Sequence, residues 1–254
     1  MRKLSVVMIT KNEARNIDRC LKSLYDIADD IVVLDARSTD NTQQICLNYN
    51  VNFQKREWTD FSDARNYAAS LAANDFILAI DADEVLSKEL NHEINALKDL
   101  NENAVYRFNR MTNFCGKFIK HSGWFPDWKT RIYDRRIAKW EGLVHEKLIF
   151  DKSIKIEKIK GLCYHYSFES EEAFRVKSES YAALAAQSDF QHSKHSSLYS
   201  LYLKPAIKFL VGYVVKFGWL DGREGMTIAK MSAHSTRLRY QILQQLYASK
   251  NQQS

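Results

Sequence analysis

Short apolar runs alternate with amphipathic stretches along the first third of the chain. Leu4–Ile9, Ile31–Leu34 and Phe76–Ile80 are almost unbroken apolar segments. Runs of this length without polar alternation predict strands buried on both faces of a parallel sheet. Between the first two, Ile17, Leu21 and Leu24 fall at helical spacing, with Asn12 as the expected N-cap. Ser38-Thr39-Asp40-Asn41 opens another helix with Ile45 on its apolar face, Val51–Phe53 reads as a third strand, and Phe61–Leu71 as a further helix. Such alternation predicts an α/β fold, a Rossmann-like mixed, mostly parallel sheet flanked by helices and wound by right-handed crossovers.

The pattern then changes. Ser87 is expected to cap a helix running to about Leu100. Residues 111–150 mix aromatic and charged side chains, which suits a groove for a sugar or another polar acceptor, or equally a β-rich half with ordinary half-buried aromatics. Leu162–Ser167 reads as a short strand containing His165, and from Ser170 the chain reads as a helical C-terminal extension. Leu198–Phe217 is largely apolar, with Lys204, Lys208 and Lys216 forming one drifting basic stripe. That helix either packs in a core with its lysines outward or lies in a membrane interface. Asp221–Gly225 turns the chain into a last helix, from Met226 to about Tyr247.

Composition narrows the class. With 45% hydrophobic and 12% aromatic residues the chain can bury a core, and only two prolines and eight glycines argue against collagenous or linker-rich designs. A formal charge of +6 points to an anionic partner: nucleic acid, a membrane, or a phosphorylated substrate. No Lys/Arg block reads as a nucleic-acid tail. The four cysteines, Cys20, Cys46, Cys115 and Cys163, form no C-x-x-C, which argues against a zinc site or disulfide framework and for a reducing compartment. Leu4–Ile9 is too short for a signal-peptide core, and no stretch reaches the about 18 apolar residues of a membrane span.

The candidate chemistry centres on Asp81-Ala82-Asp83-Glu84, directly after the strand ending at Ile80. Ligands of open α/β sheets bind at such carboxyl ends. Two carboxylates one residue apart can divide a task there, one ligating Mg²⁺ or Mn²⁺ and the other holding a ribose hydroxyl or a metal-bound water. Neither G-x-G-x-x-G nor G-x-x-x-x-G-K-[ST] is present, so a nucleotide would be held by side chains and a metal.

Four pieces together resemble the family 2 glycosyltransferases of GT-A fold: Val7-Met-Ile-Thr-Lys-Asn-Glu13, Val33-Leu-Asp-Ala-Arg-Ser-Thr-Asp-Asn-Thr42, Phe61-Ser-Asp-Ala-Arg-Asn66 and Ile80-Asp-Ala-Asp-Glu84. Trp128–Tyr133, Val144-His-Glu146, the His165-Tyr166 strand and Leu220–Gly225 resemble a narrower branch, the bacterial lipopolysaccharide inner-core β-1,4-glucosyltransferases. The chain departs from the family at Ala36-Arg37, where a small pair such as Ser-Gly is common. The resemblance implies a catalytic domain over residues 1–168, with a nucleotide-sugar half to residue 100 and an acceptor half beyond, and a helical region over 169–254. It implies an inverting, metal-dependent hexosyltransferase that moves a sugar, glucose from UDP-glucose, to an inner-core heptose. Asp35 then contacts the base, Thr10, Asn12 and Glu13 line the same pocket, Arg65 faces the diphosphate, Asp81 holds the ribose or a metal water, and Asp83 binds Mg²⁺ or Mn²⁺.

Inversion needs a base to take the acceptor's proton. Glu146 is the first candidate, its alternative being a structural salt bridge, and Asp127 the second. His165 has three readings: metal ligand, diphosphate donor, or core histidine. Trp124, Trp128, Arg131 and His145 are the candidate acceptor contacts. A lipid-linked saccharide acceptor would place the enzyme on the cytoplasmic face of the inner membrane, bound peripherally. Other readings stay open at this point: another acceptor (exopolysaccharide lipid, teichoic acid or peptide), a nucleotidyltransferase on a related sheet, and a non-enzymatic basic module for membrane or nucleic acid.

Overall fold

A computed structural model describes residues 3–58, 60–97, 101–142 and 146–252, the side chains of 251 and 252 excepted. The element order is β1 (Leu4–Thr10), α1 (Ile17–Leu24), β2 (Asp30–Asp35), α2 (Thr42–Cys46), β3 (Asn52–Lys55), α3 (Phe61–Ser70), β4 (Phe76–Asp81), β5 (Glu84–Leu86) and α4 (Lys88–Ala96). There follow β6 (Ala104–Phe114), β7 (Lys117–Phe118), β8 (Asp127–Asp134), β9 (Ala138–Glu141), β10 (Lys147–Phe150), β11 (Lys155–Phe168) and α5 (Glu171–Gln191). A helical run from Tyr199 to Val215, π-helical at both ends around α6 (Lys204–Leu210), leads through a short turn to α7 (Gly222–Gln252). The chain divides into two units, 1–110 with 127–166, and 111–126 with 167–254. Residues 111–126 thus group with the C-terminal helices.

In the first unit the strands run β3-β2-β1-β4-β8-β6-β11-β5. The β3, β2, β1 and β4 strands are parallel, while β8 joins β4, and β6 joins β8, antiparallel. The apolar runs follow from burial on both faces. Val6, Met8, Val33, Leu78 and Ile80 pack with Ile17, Leu21 and Leu24 of α1 and Leu90 and Ile94 of α4. Val7, Ile9, Val32, Leu34 and Ala79 pack against Ala64, Ala68 and Ala69 of α3. Small residues on α3 let that helix lie close to the sheet. Cys20, Cys46 and Cys163 are buried within this unit, as small apolar side chains are.

Helix starts follow their caps. Ser87 Oγ accepts from Leu90 N at 3.1 Å, and Asp60 accepts from Asp63 N at 2.8 Å. Asn12 is not the cap of α1, which begins at Ile17 after Asn16. Asn12 instead has φ +56 and accepts from Thr39 N at 2.8 Å, an αL position that asparagine tolerates better than most residues. It thereby ties the loop after β1 to the loop after β2. The helix after Ser38–Asn41 is only Thr42–Cys46, and α4 ends at Ala96, residues 98–100 lying outside the described residues.

In the second unit Phe114, Trp124, Phe168 and Phe174 form an edge-to-face aromatic cluster. The Asp221–Gly225 turn is structural. Buried Asp221 accepts from the backbone N–H of Lys120 and His121, at 3.2 and 2.9 Å, so it fixes the strand-to-loop passage there. A Cβ on Gly225 would meet the Gly218 carbonyl oxygen at 1.8 Å, which only glycine avoids.

Candidate active site

The parallel strands bring the sequence motifs abreast. Thr10 is in register with Asp35, and Ile9 with Asp81, so Asp35, Thr10 and Asp81 line one carboxyl edge. Across β1 the outer two strands are about 10 Å apart, two strand spacings. Asp35 is fully buried and accepts from Ser38 N and Oγ at 2.8 and 2.5 Å. Thr10 Oγ1 is buried with no hydrogen-bond partner among the described residues, an open valence at the same edge. Glu13 N donates to Thr42 Oγ1 at 2.8 Å, and its carboxylate accepts from Asn16 at 2.7 Å. Arg37 holds φ +53, the conformation glycine favours.

Asp81 is held by two arginines. Arg65 Nη2 lies 2.5 Å from Oδ1 and Arg131 Nη2 2.7 Å from Oδ2. Burial alone would raise the Asp81 carboxyl, but Arg131 and Arg65 outweigh it and hold the group far below the usual carboxylate range. Arg131, 5% exposed, also reaches Glu84 Oε1 at 3.0 Å, and Glu84, wholly buried, pairs with Arg110 Nη1 at 3.1 Å. Burial opposes the charge on Arg131, and Asp81 and Glu84 more than restore it. Arg131, an acceptor contact by sequence alone, is therefore a buried clamp on the acid motif. Its charge is consumed by two carboxylates, and its side chain is out of solvent.

The Phe61–Asn66 motif explains how Arg65 is aimed. Ser62 and Asn66, four residues apart on one helical face, both grip β9 and the residue after it. Ser62 Oγ donates to Gly142 O at 2.7 Å; Asn66 Nδ2 donates to Trp140 O at 2.8 Å and Oδ1 accepts from Trp140 N at 2.9 Å. Trp140 lies beneath both arginines, 4.9 Å from the Arg65 guanidinium carbon and 5.9 Å from that of Arg131. Its Nε1 donates to Tyr133 Oη at 3.0 Å.

Asp83 and His165 are brought together across the β5–β11 pairing. Asp83 Oδ2 is 3.2 Å from His165 Nε2, and Tyr166 N donates to Asp83 O at 2.8 Å. Both side chains keep partial solvent access, 19% and 13%. A carboxylate and an imidazole at this separation fit a divalent cation that takes its remaining ligands from phosphate oxygens and water. No cluster of three or more His, Cys, Asp or Glu side chains suited to a metal occurs among the described residues, so such an ion would need the substrate's oxygens.

Glu146 Oε1 lies 3.6 Å from Arg65 Nη2, on the same guanidinium that holds Asp81. Asp127 is engaged at both oxygens, by Arg110 Nη2 at 2.9 Å and Lys129 Nζ at 3.1 Å. Trp128 is 36% exposed, with Arg107 and Lys158 over its ring. Trp124 belongs to the aromatic cluster of the second unit. His145 lies outside the described residues. Arg110 and Trp140 join the site only through the fold, and Glu84, the last acid of the Asp81–Glu84 stretch, is the buried partner of Arg110 and Arg131.

The protein-family model described as "Glycosyl transferase family 2" matches residues 5–154, more than half the chain. The chain belongs to the family 2 glycosyl transferases and is a sugar-transferring enzyme with their mixed α/β GT-A fold. An uncharacterized glycosyltransferase of Rickettsia felis is 29% identical over 99% of this chain and 93% of its own. One from Rickettsia prowazekii is 28% identical over 97% and 88%. Among solved structures, Staphylococcus aureus TarS residues 1–349 align with 97% of this chain and 92% of that one, at 18% identity and a TM-score of 0.47.

Proposed function

We propose that this enzyme transfers glucose, with inversion, from UDP-glucose to a heptose of a lipopolysaccharide or lipooligosaccharide inner core, using Mg²⁺ or Mn²⁺. The observation that carries the donor reading is the paired arrangement at the carboxyl edge: Asp81 locked by Arg65 and Arg131, with Asp83 and His165 alongside at 3.2 Å. A nucleoside laid along this edge would lie over the buried Asp35 and Thr10 at one end and meet the part-exposed Asp81 at the other. Asp83 and His165 would hold the cation, which supplies Lewis-acid neutralisation of the departing diphosphate. Asp81, kept ionised and immobile, accepts a hydrogen bond from the ribose or a metal-bound water. Arg65 is shared between Asp81 and Glu146, so diphosphate charge drawn towards it would loosen its hold on Glu146. Glu146 then takes the acceptor hydroxyl proton as general base.

The acceptor reading is supported by the resemblance of Trp128–Tyr133, Val144–Glu146 and Leu220–Gly225 to the inner-core glucosyltransferases. A lipid-linked acceptor fits a peripheral enzyme on the cytoplasmic face of the inner membrane. No helix of the described residues is long and apolar enough to cross a membrane. The test is turnover of UDP-glucose with Mn²⁺ against a panel of acceptors: heptose-terminated core lipid, exopolysaccharide lipid, teichoic acid and peptide. Heptose-dependent UDP release with a β-linked product supports the proposal; turnover confined to another acceptor removes its acceptor half.

A further inference from the structure

The helical run of the second unit has one packed side and one bare side. On the packed side Ser200, Leu201, Pro205 and Gly218 are buried, and Lys204 Nζ donates to Tyr240 Oη of α7 at 2.9 Å. The other side carries Tyr199, Leu203, Ile207, Leu210, Val214 and Phe217, spaced three or four residues apart and 41–55% exposed. Six such side chains in a row exceed the scattered apolar exposure of an ordinary surface. The stretch is about 28 Å long at helical rise, and Trp219, 52% exposed, sits at its end, where an interfacial aromatic would be.

Charge indicates what covers this face. From Leu198 to Leu220 there is no Asp or Glu, while Lys204, Lys208 and Lys216 are present. Lys208 and Lys216 are exposed. The backbone of Lys216 is fixed, since Ser122 N donates to its carbonyl at 2.9 Å, and its stem lies against Gly123, where a Cβ would meet Lys216 Cδ at 2.5 Å. A bare apolar stripe flanked by cations and cleared of acids is the composition of a helix lying in the headgroup region of an anionic bilayer.

We propose that residues 198–220 are the membrane-docking element, lying in the plane of an anionic leaflet with the Tyr199–Phe217 stripe inserted. This gives the peripheral-membrane part of the proposed function a specific surface, and it rests on that reading for its purpose. The experiment is co-sedimentation of the full chain with phosphatidylglycerol/phosphatidylcholine vesicles and with phosphatidylcholine alone, at low salt. UDP–Mn²⁺ binding is titrated without lipid in the same preparations, so the donor reading stands or falls separately.

Binding about 20–30-fold tighter to anionic vesicles is expected, two lysines contributing about fivefold each. Leu203→Glu with Leu210→Glu should abolish it, and Lys208→Gln with Lys216→Gln should weaken it about twentyfold towards the phosphatidylcholine level. All four positions are solvent-facing, and the lysine pair provides a second test should the glutamate pair misfold. The proposal is overturned if the parent chain ignores anionic vesicles, if both variants bind as the parent does, or if a lipid-free dimer forms that Leu210→Glu dissociates.

Discussion

Replacing Arg131 with methionine keeps most of the side chain's length and removes its charge. In the parent, one guanidinium nitrogen lies 2.7 Å from Asp81 and 3.0 Å from Glu84, with Arg131 only 5% exposed. Breaking a buried pair by removing one partner typically costs about 3–5 kcal/mol, because a carboxylate is left without compensation. Here each carboxylate keeps one arginine, Asp81 its Arg65 at 2.5 Å and Glu84 its Arg110 at 3.1 Å. The lower end therefore applies, about 3 kcal/mol. With a urea m-value of about 2 kcal/mol/M the midpoint should fall by about 1.5 M, read by circular dichroism and tryptophan fluorescence. Adding Glu84→Gln should cost less than the sum of the single changes, with a coupling of about 1–3 kcal/mol. An acceptor-contacting Arg131 would behave differently: stability would hold and only the acceptor KM would rise. A loss below about 1 kcal/mol with unchanged m would refute the clamp.

Three further outcomes follow from the same geometry. Glu146→Gln should lower kcat by about 10²–10⁴-fold while donor affinity stays within about threefold, measured by UDP release and calorimetry; unchanged kcat would reduce Glu146 to an ion pair with Arg65. Burial pushes the Tyr133 hydroxyl from 10.0 to about 12, opposed by its bond from Trp140 and by the nearby arginines. Because the folded value is the raised one, this contribution is complete below about pH 10 and is lost as pH rises from 10 to about 12, on the order of 3 kcal/mol in all. Tyr133→Phe should lack that increment of alkaline destabilisation in denaturant titrations at pH 9 and pH 12, and equal slopes in both proteins would contradict it. Asn66→Ala should loosen β9 from α3 through the two lost hydrogen bonds, costing about 1–3 kcal/mol and weakening donor affinity through Arg65, whereas Tyr67→Ala, on the exposed face, should do neither.

What was legible in the sequence was what depends on local pattern. The strands from Leu4, Ile31 and Phe76 are continuous apolar runs because both sheet faces are covered, and a period needs no tertiary knowledge. The carboxyl-edge position of Asp35, Asp81 and Asp83 followed from strand direction alone. Partner choice was not legible. Nothing near Arg131 in the chain marks it as a partner for Asp81, 50 residues away, and not for a substrate. Asn12 looked like a cap because asparagine serves both caps and αL turns, and only the contact with Thr39 separates the two. The Asp221–Gly225 motif likewise reads as a turn in either case; its close approach to Gly218 appears only in three dimensions.

The proposed nucleotide-sugar site rests on Asp83 and His165, 3.2 Å apart beside the Asp81 clamp. The most direct measurement is calorimetric titration of the parent and Asp83→Ala with UDP and UDP-glucose, with and without Mn²⁺. We expect binding that requires Mn²⁺ and vanishes in Asp83→Ala while the variant stays folded. Binding of equal affinity without the metal, or undiminished in the variant, would contradict it.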